Sequence, residues 1–147
     1  MENEYGSHVG GHVTLFFTVE KDGRLLRNQG SRGVGINVQH GVSVKLSIKD
    51  SNGDINDSSI TVFDYQGNEI ENSDKFYRGL IDDLVYARLL DSNPSFDISV
   101  SLELPTSQGF AMSAAGLVGV ALAFHKFSNR GNIDQYYRIC HRIERIN

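Results

Sequence analysis

The chain has 147 residues, a length that predicts one domain at about 150 residues per domain. It carries 14 Lys and Arg against 18 Asp and Glu, a formal net charge of −4, which argues against a broadly basic nucleic-acid-binding surface. Hydrophobic residues make up 39% of the sequence, enough for a folded core, and a single cysteine, Cys140, leaves no internal disulfide. Because the first segment also lacks the basic and apolar regions of a secretion signal, we expect a cytoplasmic protein that crosses no membrane.

The first half of the chain is predicted to consist mainly of strands. Val13–Val19 is rich in β-branched and aromatic residues and precedes a charged turn at Lys21–Gly23. The glycine-rich segment Gly30–Gly35 is predicted to form a loop where the backbone approaches another group closely. Apolar and polar residues then alternate over positions 42–48, which predicts a second strand. After a polar turn, Ile60–Tyr65 is predicted to return as its hairpin partner.

A helix is predicted to follow, with Asn72 or Ser73 as its N-cap. It should end before Pro94, since the residue before a proline is disfavoured in the helical conformation. Its inward face consists of apolar residues at helical spacing: Phe76, Leu80, Ile81, Leu84, Val85 and Leu89.

The last third of the chain contains one strand and two helices. Strict alternation predicts a strand over Phe96–Leu104, closed by Pro105, and the small and apolar residues of Ser113–Phe127 predict a buried helix. A final helix is predicted from Ile133, with Asn132 and Gln135 as an approximate capping box. Its inward face would comprise Tyr136, Cys140 and Ile143. This order of elements predicts an α+β fold.

The segment Glu103–Gly116 has the pattern of an anion site, because a strand ends at a proline and a loop of small residues leads into a buried helix. The first amides of a helix lack intrahelical partners and carry partial positive charge, so they stabilise phosphate oxygens. Ser107 or Ser113 could add a hydroxyl to a phosphate or to Mg²⁺. The same spacing also occurs at core helices that bind nothing. The sequence contains no Gly-Lys-Ser/Thr, which excludes a P-loop NTPase.

Two motifs resemble the signatures of the GHMP small-molecule kinases. PTSQGFAMSAA resembles the second signature, P-x-x-x-G-L-G-S-S-A-A, but departs from it at Ala111 and Met112. VGGHVTLFF, over Val9–Phe17, resembles the first signature with His12 in place of lysine. The matching positions of the second motif are Pro105, Gly109, Ser113, Ala114 and Ala115.

Within that family, Gly11–Phe17 together with Gly30–Gly35 is most similar to the archaeal pantoate kinases. The resemblance implies a fold like the second domain of ribosomal protein S5 over residues 1–147, with a mixed sheet packed against helices. It also implies a separate C-terminal domain that would follow Asn147, so we expect this chain to be truncated and inactive alone. The implied activity is ATP-dependent phosphorylation of the C4 hydroxyl of pantoate to 4-phosphopantoate, a step of coenzyme A biosynthesis.

The resemblance also implies roles for individual residues. Ser113 and Glu144 would hold Mg²⁺ and His12, Ser31 and Arg32 would bind pantoate, with His12, Ser113 and Glu144 acting in catalysis. The aspartate that several members use as base would lie after Asn147. The nucleotide would be cradled by Pro105, Thr106, Ser107, Gln108, Gly109, Phe110, Ala111, Met112, Ser113, Ala114 and Ala115.

Several alternatives remain open from the sequence. Arg32 would ordinarily be a surface side chain, a lone histidine such as His12 more often satisfies local hydrogen bonds, and Glu144 between two arginines is usually solvated. The acceptor could be another small hydroxy acid or alcohol, and a non-catalytic S5-like module that binds RNA or protein is the rival class. The kinase hypothesis implies ATP, Mg²⁺ and pantoate as partners, with no nucleic acid or membrane, and leaves a homodimer open. Cys140 is predicted to be a small core residue, and Asp82–Asp83 to face solvent.

Overall fold

The computed structural model describes residues 4–20, 30–106 and 111–146. The predicted turn at Lys21–Gly23 lies outside the described residues. The elements in chain order are β1 (Glu4–Glu20), β2 (Gly30–Asp50), a 3-10 helix (Ile55–Asp57), β3 (Ser59–Phe63), α1 (Asp74–Tyr86), β4 (Ser95–Leu102), α2 (Met112–Ser128) and α3 (Ile133–Ile146). The predicted α+β fold is confirmed.

The strands form one mixed sheet in the order β1-β2-β4-β3. β1 is antiparallel to β2 and β2 is antiparallel to β4, whereas β3 is parallel to β4. The chain connects the parallel pair through α1, as parallel strands require a crossover.

Two expectations for the first half of the sheet are wrong. Ile60–Tyr65 was expected to pair with the strand over 42–48, but β4 lies between them and β3 pairs with β4 instead. Gly30–Gly35 is not a loop but the beginning of β2, where it pairs with the last part of β1. The glycines suggested a loop, but pairing with β1 holds this segment in an extended conformation.

The helices cover one face of the sheet. Val42, Val44 and Leu46 alternate inward along β2 and are buried, as predicted. On β4 the ring of Phe96 packs edge-to-face against the rings of Phe124 and Phe127 of the α2 region, with centroids 5.3 and 5.0 Å away. The core therefore lies between the sheet and α2.

The first helix begins where it was predicted to begin but ends earlier. Ser73 is its N-cap residue, and Arg88 adopts a left-handed conformation with φ 63° just after the helix. The reversal at Arg88 ends the helix well before Pro94. Tyr77, which was not assigned to the inward face, is buried there.

The final helix has the predicted capping box. The Asn132 amide donates to Oε1 of Gln135 at 2.8 Å, and the Gln135 amide donates to Oδ1 of Asn132 at 3.1 Å. Tyr136, Cys140 and Ile143 are buried as predicted. Over the part of the chain that the structure describes, no helix is long and apolar enough to cross a membrane.

Candidate functional site

The segment between β4 and α2 and the glycine-rich start of β2 lie at the same side of the sheet. β1 and β3 run in the same direction as β4, so the carboxyl ends of all three strands point to this side. α1 and α2 follow β3 and β4 respectively, and both therefore begin there. We call this side of the domain the carboxyl edge, and ligands of α/β sheets commonly bind outside such strand ends.

The start of α2 presents backbone amides at the carboxyl edge. Its N-cap residue, Ala111, has a left-handed backbone with φ 57° and makes no side-chain capping bond. Met112 is buried, whereas Ser113 in the first turn is exposed. The first turn thus keeps its partial positive charge, with one accessible hydroxyl beside it. Four residues of the loop before it, Ser107–Phe110, lie outside the described residues.

A cavity of about 240 Å³ lies beside this helix start. Its lining comes from the end of β3, the end of β4 and the first turns of α1 and α2: Val62, Ile70, Ser73, Phe76, Tyr77, Leu102, Thr106, Met112 and Ser113. Most of these side chains are apolar, with hydroxyl groups at Ser73, Tyr77, Thr106 and Ser113. This combination suits a flat, mainly apolar group that carries a few polar atoms.

Tyr77 is the cavity residue that the sequence analysis missed. Its side chain is 4% exposed, and burial raises the pKa of its phenol to about 12. Within the described residues its hydroxyl makes no hydrogen bond, so it is a neutral donor with capacity to spare. The spacing of Tyr77, Leu80, Ile81 and Leu84 is itself a helical stripe and could have identified Tyr77 as inward-facing.

Ser113 and Glu144 lie at the same end of the antiparallel pair α2 and α3. Cys140 Sγ lies 3.7 Å from the carbonyl oxygen of Leu117, which places these two residues at one level. Ser113 is one turn before Leu117 and Glu144 is one turn after Cys140, so both lie one turn nearer the carboxyl edge. The Glu144 side chain is exposed, but packed neighbours remove part of its hydration and raise its pKa, an effect that His141 partly offsets.

The residues predicted to bind the acceptor are distributed along the β1–β2 hairpin. His12 pairs with Asn37, and its Nδ1 lies 3.0 Å from Asn37 Oδ1. Ser31 and Arg32 pair with Val19 and Thr18 further along the hairpin. Arg32 therefore lies in a strand and not in the predicted loop. It is about 17 Å along β2 from Asn37, the residue that pairs with His12.

The remaining assignments concern the helices. Cys140 is buried, as predicted for a core residue. Asp82 is exposed as expected, while Asp83 is half-buried and accepts a 3.0 Å hydrogen bond from Nη2 of Arg142. Among the described residues, no group of three or more His, Cys, Asp or Glu side chains could hold a metal ion.

A comparison with protein families finds a match in the second half of the chain. Residues 76–147 match the GHMP kinases N terminal domain. This region contains α1, β4, α2 and α3, hence the helix starts and the loop of the carboxyl edge. Among curated proteins, none matches this chain.

Solved structures share the fold over nearly the whole chain. A phosphotransferase related to the CoA biosynthesis pathway is 23% identical, with a TM-score of 0.76 over 97% of this chain and 46% of its own. Mevalonate kinase from methicillin-resistant Staphylococcus aureus is 17% identical, with a TM-score of 0.60 over 95% of this chain and 46% of its own. Lactococcus lactis galactokinase, complexed with galactose, is 12% identical, with a TM-score of 0.63 over 97% of this chain and 38% of its own. The chain thus spans less than half the length of each of these proteins.

Proposed function

We propose that this chain is the nucleotide-binding N-terminal domain of a GHMP-type small-molecule kinase that transfers the γ-phosphoryl group of ATP to the C4 hydroxyl of pantoate. The hydroxyl oxygen would attack the γ-phosphorus while the bond to the β-phosphate oxygen of the leaving ADP breaks. The hydroxyl proton would pass to a general base. Catalysis of this kind depends mainly on positioning and on neutralising phosphate charge.

The observation that carries the proposal is the start of α2 at the carboxyl edge, where the N-cap residue Ala111 makes no side-chain capping bond. The first amides of α2, the exposed hydroxyl of Ser113 and an adjoining cavity suit the phosphates and the base of one nucleotide. The family match over residues 76–147 covers this same region. A pantoate acceptor is supported by the resemblance of Gly11–Phe17 and Gly30–Gly35 to pantoate kinases, and by the phosphotransferase related to CoA biosynthesis that shares the fold.

Ser113 and Glu144 fit a magnesium site shared with ATP. Mg²⁺ prefers oxygen ligands and commonly uses one or two protein groups together with substrate phosphates, which a serine hydroxyl and a carboxylate would provide. The metal would neutralise phosphate charge. Because partial burial raises the pKa of Glu144, we expect Mg²⁺ affinity to fall as the pH drops toward that raised value.

A binding measurement tests the nucleotide site. Replacing Ser113 with Ala is expected to weaken Mg·ATP binding to this chain by about tenfold or more, because one metal ligand is lost. Ser92→Ala is the matched control, since Ser92 is exposed just before β4, at the opposite edge of the sheet. Titration calorimetry of both variants with and without Mg²⁺ checks the expectation. Failure of the unaltered chain to bind Mg·ATP would contradict the proposed function.

Acceptor kinetics of the complete polypeptide test the second half of the proposal. Arg32→Ala is expected to raise KM for pantoate far more than KM for ATP, because a guanidinium can grip the acceptor carboxylate with two hydrogen bonds. Lys45→Ala serves as control, since it removes a positive charge from an exposed position elsewhere on β2. Equal effects on both substrates, or none, would count against this role. Faster phosphorylation of another hydroxy acid or alcohol in an acceptor panel would retain the kinase and replace pantoate.

A further inference from the structure

Glu103 connects the end of β4 to both strands of the β1–β2 hairpin. Its backbone amide donates to the carbonyl oxygen of Gly41 at 2.7 Å. Its carboxylate reaches back across the sheet, where Oε1 accepts from the amide of Gly41 at 2.7 Å and from Nε2 of His8 at 2.8 Å. Oε2 lies 3.3 Å from Oγ of Ser43, which donates to it. One side chain thus contacts three residues of the neighbouring strands.

The hairpin is irregular at the point that Glu103 contacts. The pairing changes from Gly10 opposite Gly41 to His12 opposite Asn37, so Gly11 alone faces three residues of β2. The backbones come very close here, since a Cβ on Gly41 would lie 2.0 Å from the carbonyl oxygen of Val9. Such bulges bend a hairpin and interrupt its ladder. The carboxylate of Glu103 satisfies the Gly41 amide at this bend.

The contacts of the Glu103 carboxylate include a backbone hydrogen bond in addition to its ion pair with His8. The side chains of His8 and Glu103 are 46% and 32% exposed, and an exposed pair alone contributes little to stability. The Gly41 amide, followed by His8, holds the pKa of Glu103 below its usual range. The carboxylate is therefore ionised near neutral pH, the state in which it accepts these hydrogen bonds most strongly.

The bend separates two parts of the proposed active site. On β1 the bend precedes His12, and on β2 it follows the segment that contains Ser31 and Arg32. Glu103 directly follows β4 and is two residues before Pro105, where the proposed nucleotide loop begins. We propose that Glu103 is a positioning residue that locks the bend of the hairpin to the start of the nucleotide loop, so that the acceptor and the γ-phosphate are held in register. This inference rests on the proposed function.

Two variants of Glu103 and one control test the inference. Glu103→Ala removes every side-chain contact, whereas Glu103→Gln keeps an oxygen for the Gly41 amide and loses the charge that attracts His8. Asp97→Asn is the control, because Asp97 is an exposed carboxylate on the same strand whose side chain makes no hydrogen bond within the described residues. Amide hydrogen exchange at Gly41 reports the lock itself, and steady-state kinetics of the complete polypeptide report its consequence.

We expect Glu103→Ala to accelerate exchange at Gly41 by about tenfold or more, corresponding to loss of a charge-assisted hydrogen bond. In Glu103→Ala the KM for the acceptor should rise while the KM for ATP stays near its original value. Glu103→Gln should show smaller increases in both the exchange rate at Gly41 and the KM for the acceptor. Unchanged exchange at Gly41 in Glu103→Ala would overturn the lock, and faster exchange without a change in acceptor KM would overturn the positioning role. If Glu103→Ala does not fold, His8→Ala and Glu103→Gln provide the same comparison.

The two proposals fail in different ways. If the unaltered polypeptide neither binds Mg·ATP nor transfers phosphate, the proposed function fails and the positioning role fails with it. Exchange at Gly41 is measured without substrate, so it still decides whether Glu103 fixes the bend. An active enzyme whose Glu103 variants behave like Asp97→Asn would retain the proposed function and overturn this inference alone.

Discussion

At the scale of single residues, burial determines what a reactive group can do. Cys140 is the single cysteine of the chain, and its side chain lies against the backbone of α2. Burial, and secondarily the nearby charge of Glu144, raise the pKa of its thiol to about 12. Since the thiolate is the reactive form, Cys140 has the character of a packing residue rather than a nucleophile.

Cys140 is therefore expected to resist alkylation in the folded protein. Iodoacetamide at pH 8 should modify it slowly under native conditions and rapidly in denaturant, because unfolding removes the burial that raises the thiol pKa. Mass spectrometry of timed samples measures both rates. Comparable rates in the two conditions would show that the thiol is accessible in the fold.

At the scale of elements, close packing of α1 against α2 depends on a glycine. A Cβ placed on Gly116 would lie 2.3 Å from the Tyr77 hydroxyl oxygen, so the two helices meet where one has no side chain. This contact also sets the position of the Tyr77 ring in the wall of the candidate nucleotide cavity. Helix packing and site geometry are thus coupled at one residue pair.

Gly116→Ala is expected to destabilise the protein by about 1–3 kcal/mol, because an extra methyl group overpacks a buried contact. The matched control is Gly79→Ala in α1, where a Cβ would meet nothing within 4 Å. That change should stabilise by about 0.5–1 kcal/mol, since alanine restricts the unfolded chain more than glycine does. Urea unfolding measures both effects.

Adding Tyr77→Phe to Gly116→Ala tests the cause. The double variant should recover part of the lost stability, because the oxygen that clashes with the new methyl group is gone. Strictly additive effects of the two changes would show that the clash is not the source of the destabilisation.

At the scale of the whole molecule, carboxylates connect distant parts of the chain. Glu103 joins β4 to the hairpin, and Arg130 joins the turn after α2 to Asp91 through hydrogen bonds of 2.9 and 2.7 Å. Hydrogen bonding to Arg130 lowers the pKa of Asp91, and hydrogen bonding to Arg78 lowers that of Asp74. Glu144 has the opposite shift, because its carboxylate is partly desolvated.

These shifts predict how stability depends on pH. Glu103, Asp74 and Asp91 have lower pKa values in the folded protein than in the unfolded chain, so the unfolded chain binds protons first as the pH falls. Their contribution to folding stability is therefore complete above their ordinary pKa values, about 4, and is lost as the pH falls through the lower folded values. The urea midpoint should therefore decrease below about pH 5. Glu144→Gln should raise the midpoint near pH 7, because it removes a partly desolvated carboxylate, and the gain should shrink as the pH falls and the carboxylate of the natural protein becomes protonated. A midpoint that does not change with acidification would contradict this account.

The amino-acid sequence by itself determined the elements whose signals are local. Alternation placed β4 to within two residues, and the pair Asn132 and Gln135 predicted a capping box that the structure contains. The buried faces of β2 and α3 followed from periodicity, because a side chain's direction depends only on its position within a strand or helix. The motif over Pro105–Ala115 likewise located the start of α2 at the candidate site.

Only the tertiary structure decided which strands pair and which residues meet. The insertion of β4 between β2 and β3, the extension of β2 through Gly30–Gly35 and the burial of Tyr77 each depend on partners distant in sequence. The same is true of Glu103, whose contacts are with residues 60 to 95 positions away. Pairing and packing energies arise between segments that fold together, so no local pattern in one segment specifies its partner.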